Sequence, residues 1–502
     1  MKRYLINFFC LFAVVFILLS FPLYLAIQNG LCCYDDVGYA IVAKNLAKGI
    51  GYATTINYVG ANYSISYFNY AIGEGPVGIL PVALVFRLFG FNPFFPGLVQ
   101  VGIEFLLLLT ISLLLLEEYN VFCVVCYMVL SLIVVNLLSC WHYEHLYAMI
   151  GEFNAALLVI IGVIFLRKYG KSLCCSLFAG LFFALAVMTK EISAIFVIIF
   201  IGYVFLYSLY ECLTRRDCIK KQILFVSVFS VGGLAPFSIF ELWRLTALGF
   251  KGYWANWVQH IHFISSYSPV GVSLNDMLGS FICRSHTFLH DYFLSILFCV
   301  FLVVFVTCII FIFNRNKIYL VATLGLGIVA DIMYWVFFTT GPARHLYIGI
   351  VVLSFFVPLP ALLNRKRGLN FVPVVLLLFS LVPRAGNDFV NKLTEASHDF
   401  LNKKPPATYI AEYDMLSYIE NNYPKNKILT PWWAHAAMLE FLSPRCALFE
   451  GLDLIKKNET NLVLINSTVE TQFHEQDKYS NMISKNCKLI HNSRQYSLYL
   501  CK

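Results

Sequence analysis

Two adjacent carboxylates, Asp35 and Asp36, follow the first long apolar run of the chain. Charged groups beside a membrane are costly, so such a pair points to a functional site. One carboxylate can act as a general base while its neighbour holds that base, a partner group or a metal ion. The same pair also suits the exposed start of a helix, since Asp is a favoured N-cap residue.

Cationic side chains that suit an anionic group stand at two other places. Lys190 ends an apolar run, and Arg344 and His345 follow the turn at 341–343. An arginine holds a phosphate through two parallel hydrogen bonds. Two alternatives stay open: a lysine that reaches the membrane interface beside Glu191, and an arginine that anchors at lipid headgroups.

Further acidic side chains stand where apolar runs begin. Glu74 precedes Pro76, and Glu152 lies near the start of a later run. Segment 141–147, WHYEHLY, carries two histidines and a glutamate. A metal ion needs three or four ligands, so this segment is interpreted as an interfacial loop. A divalent ion at Asp36, Glu74 or Glu152 stays open as the one candidate cofactor.

The elements that must position these side chains are membrane helices. The chain has 502 residues, of which 60% are hydrophobic and 13% charged, a composition of integral membrane proteins. Its net charge is +8, and basic residues gather in short loops between apolar runs, where membrane orientation explains them, so the predicted partner is the bilayer and not nucleic acid. Apolar segments of helical length occur at 5–27, 76–90, 97–116, 121–139, 148–166, 173–189, 192–210, 222–240, 291–313, 318–338, 345–363 and 370–384.

The orientation of these spans follows from basic residues in short loops, which favour the cytoplasmic side. Such residues occur in four loops, at 167–171, 215–221, 315–317 and 365–367. The opposite face then carries loops 28–75 and 241–290, the Arg344 turn and the C-terminal part. A cytoplasmic N-terminus and an external C-terminus need an odd number of crossings, so we predict about 11–13 spans from the apolar segments.

Two domains are predicted: a multi-span module over 1–390 and a small external α/β domain over 391–502. Segment 411–424 is typical of a helix stopped by Pro424, and four strands are predicted at 427–433, 461–468, 486–492 and 495–501. Cys487 and Cys501 would bridge two of these strands in an oxidising compartment. In loop 28–75, the pattern of 37–48 predicts an amphipathic surface helix with Lys44, Asn45 and Lys48 on its polar side, ending at Gly49 or Gly51.

The residues from Asp35 to Tyr52 form a recognisable motif. Asp35-Asp36-x-x-Tyr39, followed by Ala43-x-Asn45-Leu46-Ala47-x-Gly49-x-Gly51-Tyr52, resembles the first external loop of type C glycosyltransferases. These include the protein O-mannosyltransferases and the lipid A aminoarabinose transferases. Segments 73–90 and 180–195 and the turn Arg344-His345-x-Tyr347 resemble later parts of the same families in the same order.

The resemblance implies an all-α polytopic fold and a transferase that uses a polyprenyl-phosphate sugar as donor. Asp35 would be the base for the acceptor, and Asp36 would support it. Lys190, Arg344 and His345 would bind the donor phosphate, with Tyr39, Glu74 and Glu152 as further site candidates. The acceptor would be a lipid, a glycan or a protein.

Departures from the families leave the subfamily open, because the acidic pair is Asp-Asp and not Asp-Glu, and Glu74-Gly75-Pro76 replaces Lys-Pro-Pro. The resemblance places the protein in the bacterial inner membrane with its site facing the periplasm, or alternatively in the endoplasmic reticulum membrane. A transporter or flippase would place its charges near the bilayer midplane in broken helices. A lipid-linked glycan ligase is the other alternative, and it would lack an early acidic pair.

Overall fold

The computed structural model describes residues 2–31, 34–54, 58–59, 62–63, 65–69, 72–138, 147–167, 172–214, 219–267, 306, 318–338, 346–359, 407–424, 426–430, 447–449, 461–466, 483, 487–493 and 496–501. Arg344, His345 and segment 141–146 lie outside these residues. Thirteen α-helices are found in the described part: α1 Lys2–Leu18, α2 Ser20–Asn29, α3 Tyr34–Ala47, α4 Pro76–Phe89, α5 Phe95–Leu116, α6 Val121–Leu138, α7 Glu152–Leu166, α8 Leu173–Thr189, α9 Ala194–Thr214, α10 Ile219–Tyr267, α11 Ile318–Phe338, α12 Tyr347–Phe356 and α13 Ala407–Asn422.

The helices follow the predicted apolar segments closely, and a predominantly helical membrane fold is confirmed. Within the described residues, three helices are long and apolar enough to cross a membrane: Phe95–Leu116, Glu191–Thr214 and Ile219–Phe263. Six further apolar helices are shorter, at 10–17 residues. The predicted total of about 11–13 spans stays a prediction, because segments 291–313 and 370–384 lie outside the described part.

The first predicted span is not one straight helix. Leu5–Leu18 and Ser20–Ile27 meet at a bend of 47° and together supply a fourth candidate span. Pro22 lies in the first turn of α2. Proline has no N–H and its ring clashes with the carbonyl four residues earlier, so a helix that passes through it kinks or breaks. The sequence pattern of apolar residues alone gave no sign of this break.

Two compact units account for the chain: 1–24, 73–78 and 100–394 form the first, and 25–72, 79–99 and 395–502 form the second. In the first unit, α8 packs closely on α10 through glycines. A methyl group on Gly180 would overlap the carbonyl oxygen of Phe229, and one on Gly232 would overlap that of Leu177. Small residues of this kind let two helix backbones approach within a membrane. The contact fixes α8, whose C-terminal end carries Lys190.

Loop 241–290 was predicted as an extended external loop, and its first half is helical instead. α10 continues to Tyr267 and turns at Gly249, which has a φ of 64°. Arg244 joins the two halves, because its Nε donates to Asn256 at 2.9 Å and its guanidinium lies 4.8 Å from the Trp257 ring. Tyr253 and Trp257 therefore pack against Arg244 across the break at Gly249, whereas Trp254 is exposed.

In the second unit, α3 lies where an amphipathic helix was predicted and ends at Gly49, whose φ is 78°. The predicted polar side is wrong for two residues, since Lys44 and Asn45 are buried. The Asn45 Nδ2 donates to the carbonyl oxygen of Ala53 at 2.9 Å, and Lys44 lies 5.8 Å from the Phe91 ring. Protein therefore covers both sides of this helix.

The C-terminal part forms a five-stranded mixed sheet. Its strands are β5 Lys427–Thr430, β6 Ala447–Phe449, β7 Asn461–Asn466, β8 Cys487–Ser493 and β9 Tyr496–Cys501, after four two-residue strands β1 to β4 within 53–67. The order is β6-β5-β7-β9-β8, with β8 at one edge. Met415, Ile419 and Leu498 belong to its buried core. The predicted Cys487–Cys501 disulfide is present and joins directly paired residues of β8 and β9.

Candidate active site

Asp35 and Asp36 lie in the first turn of α3. Acidic side chains are favoured there, because the unpaired N–H groups of a helix start carry partial positive charge. Asp36 is fully buried, whereas Asp35 is partly exposed. Tyr39, one turn later, is buried as well. Of the two carboxylates, Asp35 is therefore the one that an incoming molecule can reach.

Three other predicted site residues, Glu74, Glu152 and Lys190, lie at a junction of three segments in the first unit. The junction comprises the start of α4 at 73–78, the start of α7 at 150–152 and the end of α8 at 188–190. The Gly75 N–H donates to the carbonyl oxygen of Thr189 at 3.0 Å, and a methyl group on Gly75 would overlap the carbonyl of Met188. Gly151 caps α7 with a φ of 80°, which a residue with a side chain adopts only with strain.

Glu74 is fully buried in this junction. Its carboxylate folds over the first turn of α4, so that a methyl group on Gly78 would overlap Oε1. A methyl group on Gly151 would lie 3.4 Å from the same oxygen. The carboxylate is therefore placed between the starts of α4 and α7, where two helix N-termini favour negative charge.

Lys190 lies at the C-terminal end of α8 and points into the same junction. Its ammonium forms an ion pair with Glu152 at 3.2 Å and donates to the carbonyl oxygen of Ile150 at 2.9 Å. The alternative of a local pair with Glu191 is not what the structure shows, because Glu191 pairs with His260 at 3.2 Å. Lys190 is thus held from α7, and only 11% of its side chain is exposed.

Two polar features of this unit escaped the sequence reasoning. The Asn154 Nδ2 donates to Gln100 Oε1 at 2.5 Å, which joins α7 to α5, and Glu104 is buried one turn further along α5. Ionisable and amide side chains inside an apolar run are themselves a signal. Segment 97–116 carries this signal at Gln100 and Glu104, within a helix of high mean hydropathy.

Asp331 on α11 is the second such feature. It is fully buried, and its Oδ2 accepts the N–H of Gly349 at 3.1 Å in the first turn of α12. This contact fixes the start of the helix that follows Arg344 and His345 in the chain. Asp331 therefore positions the start of α12.

No three metal-ligating side chains converge within the part of the chain that the structure describes. Glu152, one of the three candidate ligands, is already engaged by the Lys190 ammonium. A divalent ion at Asp36, Glu74 or Glu152 stays a prediction. Asp35, Asp36 and Tyr39 belong to one compact unit and the junction to the other, and their grouping in one cavity stays a prediction.

Comparison with known proteins gives agreement in fold without agreement in sequence. No protein-family model matches the chain, and no curated protein matches it in sequence. Among solved structures, it is similar to ArnT from Cupriavidus metallidurans bound to undecaprenyl phosphate, with a TM-score of 0.54, 11% identity, and coverage of 100% of this chain and 98% of that one.

Archaeal oligosaccharyltransferases from Archaeoglobus fulgidus are similar as well. The apo form gives a TM-score of 0.55 at 12% identity and covers 95% of this chain and 70% of that one. AglB in complex with an inhibitory peptide and a dolichol-phosphate gives 0.51 at 12% identity, over 94% and 70% of the two chains. The chain therefore shares its fold with ArnT and with the archaeal oligosaccharyltransferase, in keeping with the family resemblance of its motifs.

Proposed function

We propose that the protein is a membrane glycosyltransferase that takes its sugar from a polyprenyl-phosphate donor. The observation that carries this proposal is the fold shared along the whole chain with a protein bound to undecaprenyl phosphate. A second similar structure holds a dolichol-phosphate. Two proteins of one fold that both bind polyprenyl phosphates favour the same class of ligand for this chain, although fold by itself does not assign function.

In this proposal Asp35 is the catalytic base. Its carboxylate takes the proton of the acceptor nucleophile as that nucleophile forms a bond to the anomeric carbon of the sugar. The bond from that carbon to the phosphate oxygen breaks, and polyprenyl phosphate leaves with the electron pair. The partial exposure of Asp35 supports the role of base, and the burial of Asp36 supports that of a positioning residue.

Lys190, Arg344 and His345 stabilise the departing phosphate. Negative charge grows on that group in the transition state, and fixed cations lower the barrier most when they need no rearrangement. Glu152 and the Ile150 carbonyl hold the Lys190 ammonium in one position. Glu152 is therefore a positioning residue for Lys190.

The site faces the periplasm or a lumen in this proposal. The Cys487–Cys501 disulfide supports that orientation for the C-terminal part, because disulfides persist in oxidising compartments and are rare in the cytosol. The four basic loops predicted on the opposite face support it independently.

The test is sugar transfer in proteoliposomes from a panel of polyprenyl-phosphate sugars. We expect transfer from at least one donor, and a loss of about 100-fold or more in Asp35→Asn, since a positioned base contributes about 10²–10⁴-fold. Glu420→Gln, at an exposed position of α13, is the matched control and should transfer normally. Equal rates for Asp35→Asn and the parent protein would remove Asp35 as the base.

A further inference from the structure

A polar pocket lies on the C-terminal sheet domain, between α13 and the edge strand β8. Its volume is about 420 Å³, within the range of small-molecule sites, about 300–1,000 Å³. The lining consists of polar and aromatic side chains: Asp414, Ser417, Tyr418, Asn421, Asn422, His491 and Asn492. The residues at the junction of α4, α7 and α8 do not line this pocket.

One wall of the pocket is a polar stripe of α13. Its five lining residues form two rows with spacings of three and four, 414–417–421 and 414–418–422, so they share one face of the helix. Met415, Leu416 and Ile419 occupy another face and are buried in the core of the domain. The apolar contact therefore fixes the rotation of α13 and presents the polar stripe outward.

The other wall is the end of β8. A bulge between Leu489 and His491 shifts the register of this edge strand against β9, and bulges redirect the side chains that follow them. The Tyr418 and His491 rings stack at 3.8 Å with planes 9° apart, and the Tyr418 hydroxyl donates to the Ile490 carbonyl at 3.4 Å. These contacts hold an aromatic pair in the middle of the pocket.

The chemistry of the lining favours a ligand rich in hydroxyl groups. Ser417 and Tyr418 supply hydroxyl groups, and the Asn421 amide can both donate and accept. The Asn422 Nδ2 already donates to the Tyr418 carbonyl oxygen at 2.9 Å, and the Asn492 Oδ1 accepts from the Ser497 hydroxyl at 3.2 Å. These two amides therefore offer a ligand mainly the Asn422 Oδ1 and the Asn492 Nδ2. Among the lining residues that the structure describes, there is no lysine or arginine and there is one carboxylate, a set that favours a neutral ligand over a phosphate or a strongly anionic ligand. The same described lining is mostly polar, which disfavours a lipid tail.

We propose that this pocket binds the hydroxyl groups of a neutral glycan that serves as the acceptor. The assignment of acceptor rests on the function proposed above, whereas glycan binding itself does not. Asp414 and the asparagines make the hydrogen bonds, and the Tyr418–His491 pair supplies a flat surface for a sugar ring. The membrane module then carries the donor chemistry, and the C-terminal domain recognises what receives the sugar.

The test is binding of neutral trisaccharides to the full-length protein in lipid nanodiscs, measured by saturation-transfer NMR with maltotriose, mannotriose and chitotriose. We expect at least one to bind, and Kd to rise at least tenfold in Asp414→Ala and Asn421→Ala. Both positions are exposed, and thermal unfolding checks that the variants fold. Glu420→Ala, on the same helix but outside the pocket, should bind like the parent protein.

Binding of none of the three, or equal binding by the pocket variants and the parent, overturns the proposal. Transfer assays separate it from the proposed function. A parent protein that transfers sugar but binds none of the trisaccharides contradicts only the pocket proposal, whereas one that binds a trisaccharide but transfers sugar from no donor contradicts only the transferase proposal. In an active preparation the pocket variants should raise KM for the acceptor and leave KM for the donor unchanged. A rise in the donor KM alone would contradict the acceptor assignment.

Discussion

At the scale of single residues, the Lys190–Glu152 pair combines a structural and a chemical role. Both side chains are nearly buried, so each depends on the other for its charge to be tolerated. Removing one partner of a buried pair leaves an uncompensated charge and costs about 3–5 kcal/mol, while removing both together is often close to neutral. Stability and activity can therefore be separated by substitution.

We expect Lys190→Met and Glu152→Gln each to lower the free energy of unfolding in detergent by about 3–5 kcal/mol. The double variant should recover most of that loss, because no unpaired charge remains. Sugar transfer should stay low in the double variant, since the cation for the phosphate is gone. A double variant that folds and transfers at the parental rate would refute phosphate binding by Lys190.

At the scale of elements, hydrophobic patterning predicted where most helices lie, because burial in lipid or protein demands long apolar runs. The pattern predicted the wrong exposure for polar side chains that are covered by other parts of the protein. The pattern of α3 assigned Lys44 and Asn45 to an exposed side, yet Phe91 and Ala53 cover them. Three-residue β6 carries too short a pattern to recognise.

The candidate site was predictable only in part. Asp35, Glu74, Glu152 and Lys190 were identified by residue type and motif, but not the ion pair that joins two of them. That pair depends on Gly75 and Gly151, which let α4, α7 and α8 meet. Close contact among three backbones produces no repeating pattern of residue types, so a single sequence does not reveal it.

The close packing of α8 on α10 makes a specific prediction for Gly180. A methyl group there would overlap backbone, so Gly180→Ala must push the two helices apart and should lower the thermal unfolding temperature in detergent. Gly202→Ala on α9 is the matched control, because a methyl group there meets nothing within 4 Å. Alanine has the higher helix propensity, so the control should be neutral or slightly stabilising. Equal unfolding temperatures for the two variants would contradict this account of the packing.

At the scale of the whole molecule, this chain shares its fold with proteins whose sequences have little similarity to its own. Helix cores accept many apolar substitutions if volume and pattern are kept, so 11–12% identity is compatible with a shared fold. Chemistry is more demanding, because it needs particular residue types at particular places. A test of the proposed function must therefore change particular residues, such as the acidic pair at the start of α3.

The orientation of the molecule can be tested through its disulfide. Cys487 and Cys501 join β8 to β9 across a sequence separation of 14, and a loop of about that length corresponds to about 3 kcal/mol of stabilisation. If the C-terminal domain faces an oxidising compartment, both thiols should resist alkylation in intact cells until a reductant is added. Cys501→Ser should then leave the partly exposed Cys487 thiol open to a membrane-impermeant maleimide from outside and make the domain more sensitive to protease.

Cys212, near the end of α9 that leads to the basic loop at 215–221, is the matched control and should react only after the cells are opened. Labelling of Cys487 only after lysis would reverse the orientation and place the C-terminal domain on the cytoplasmic side.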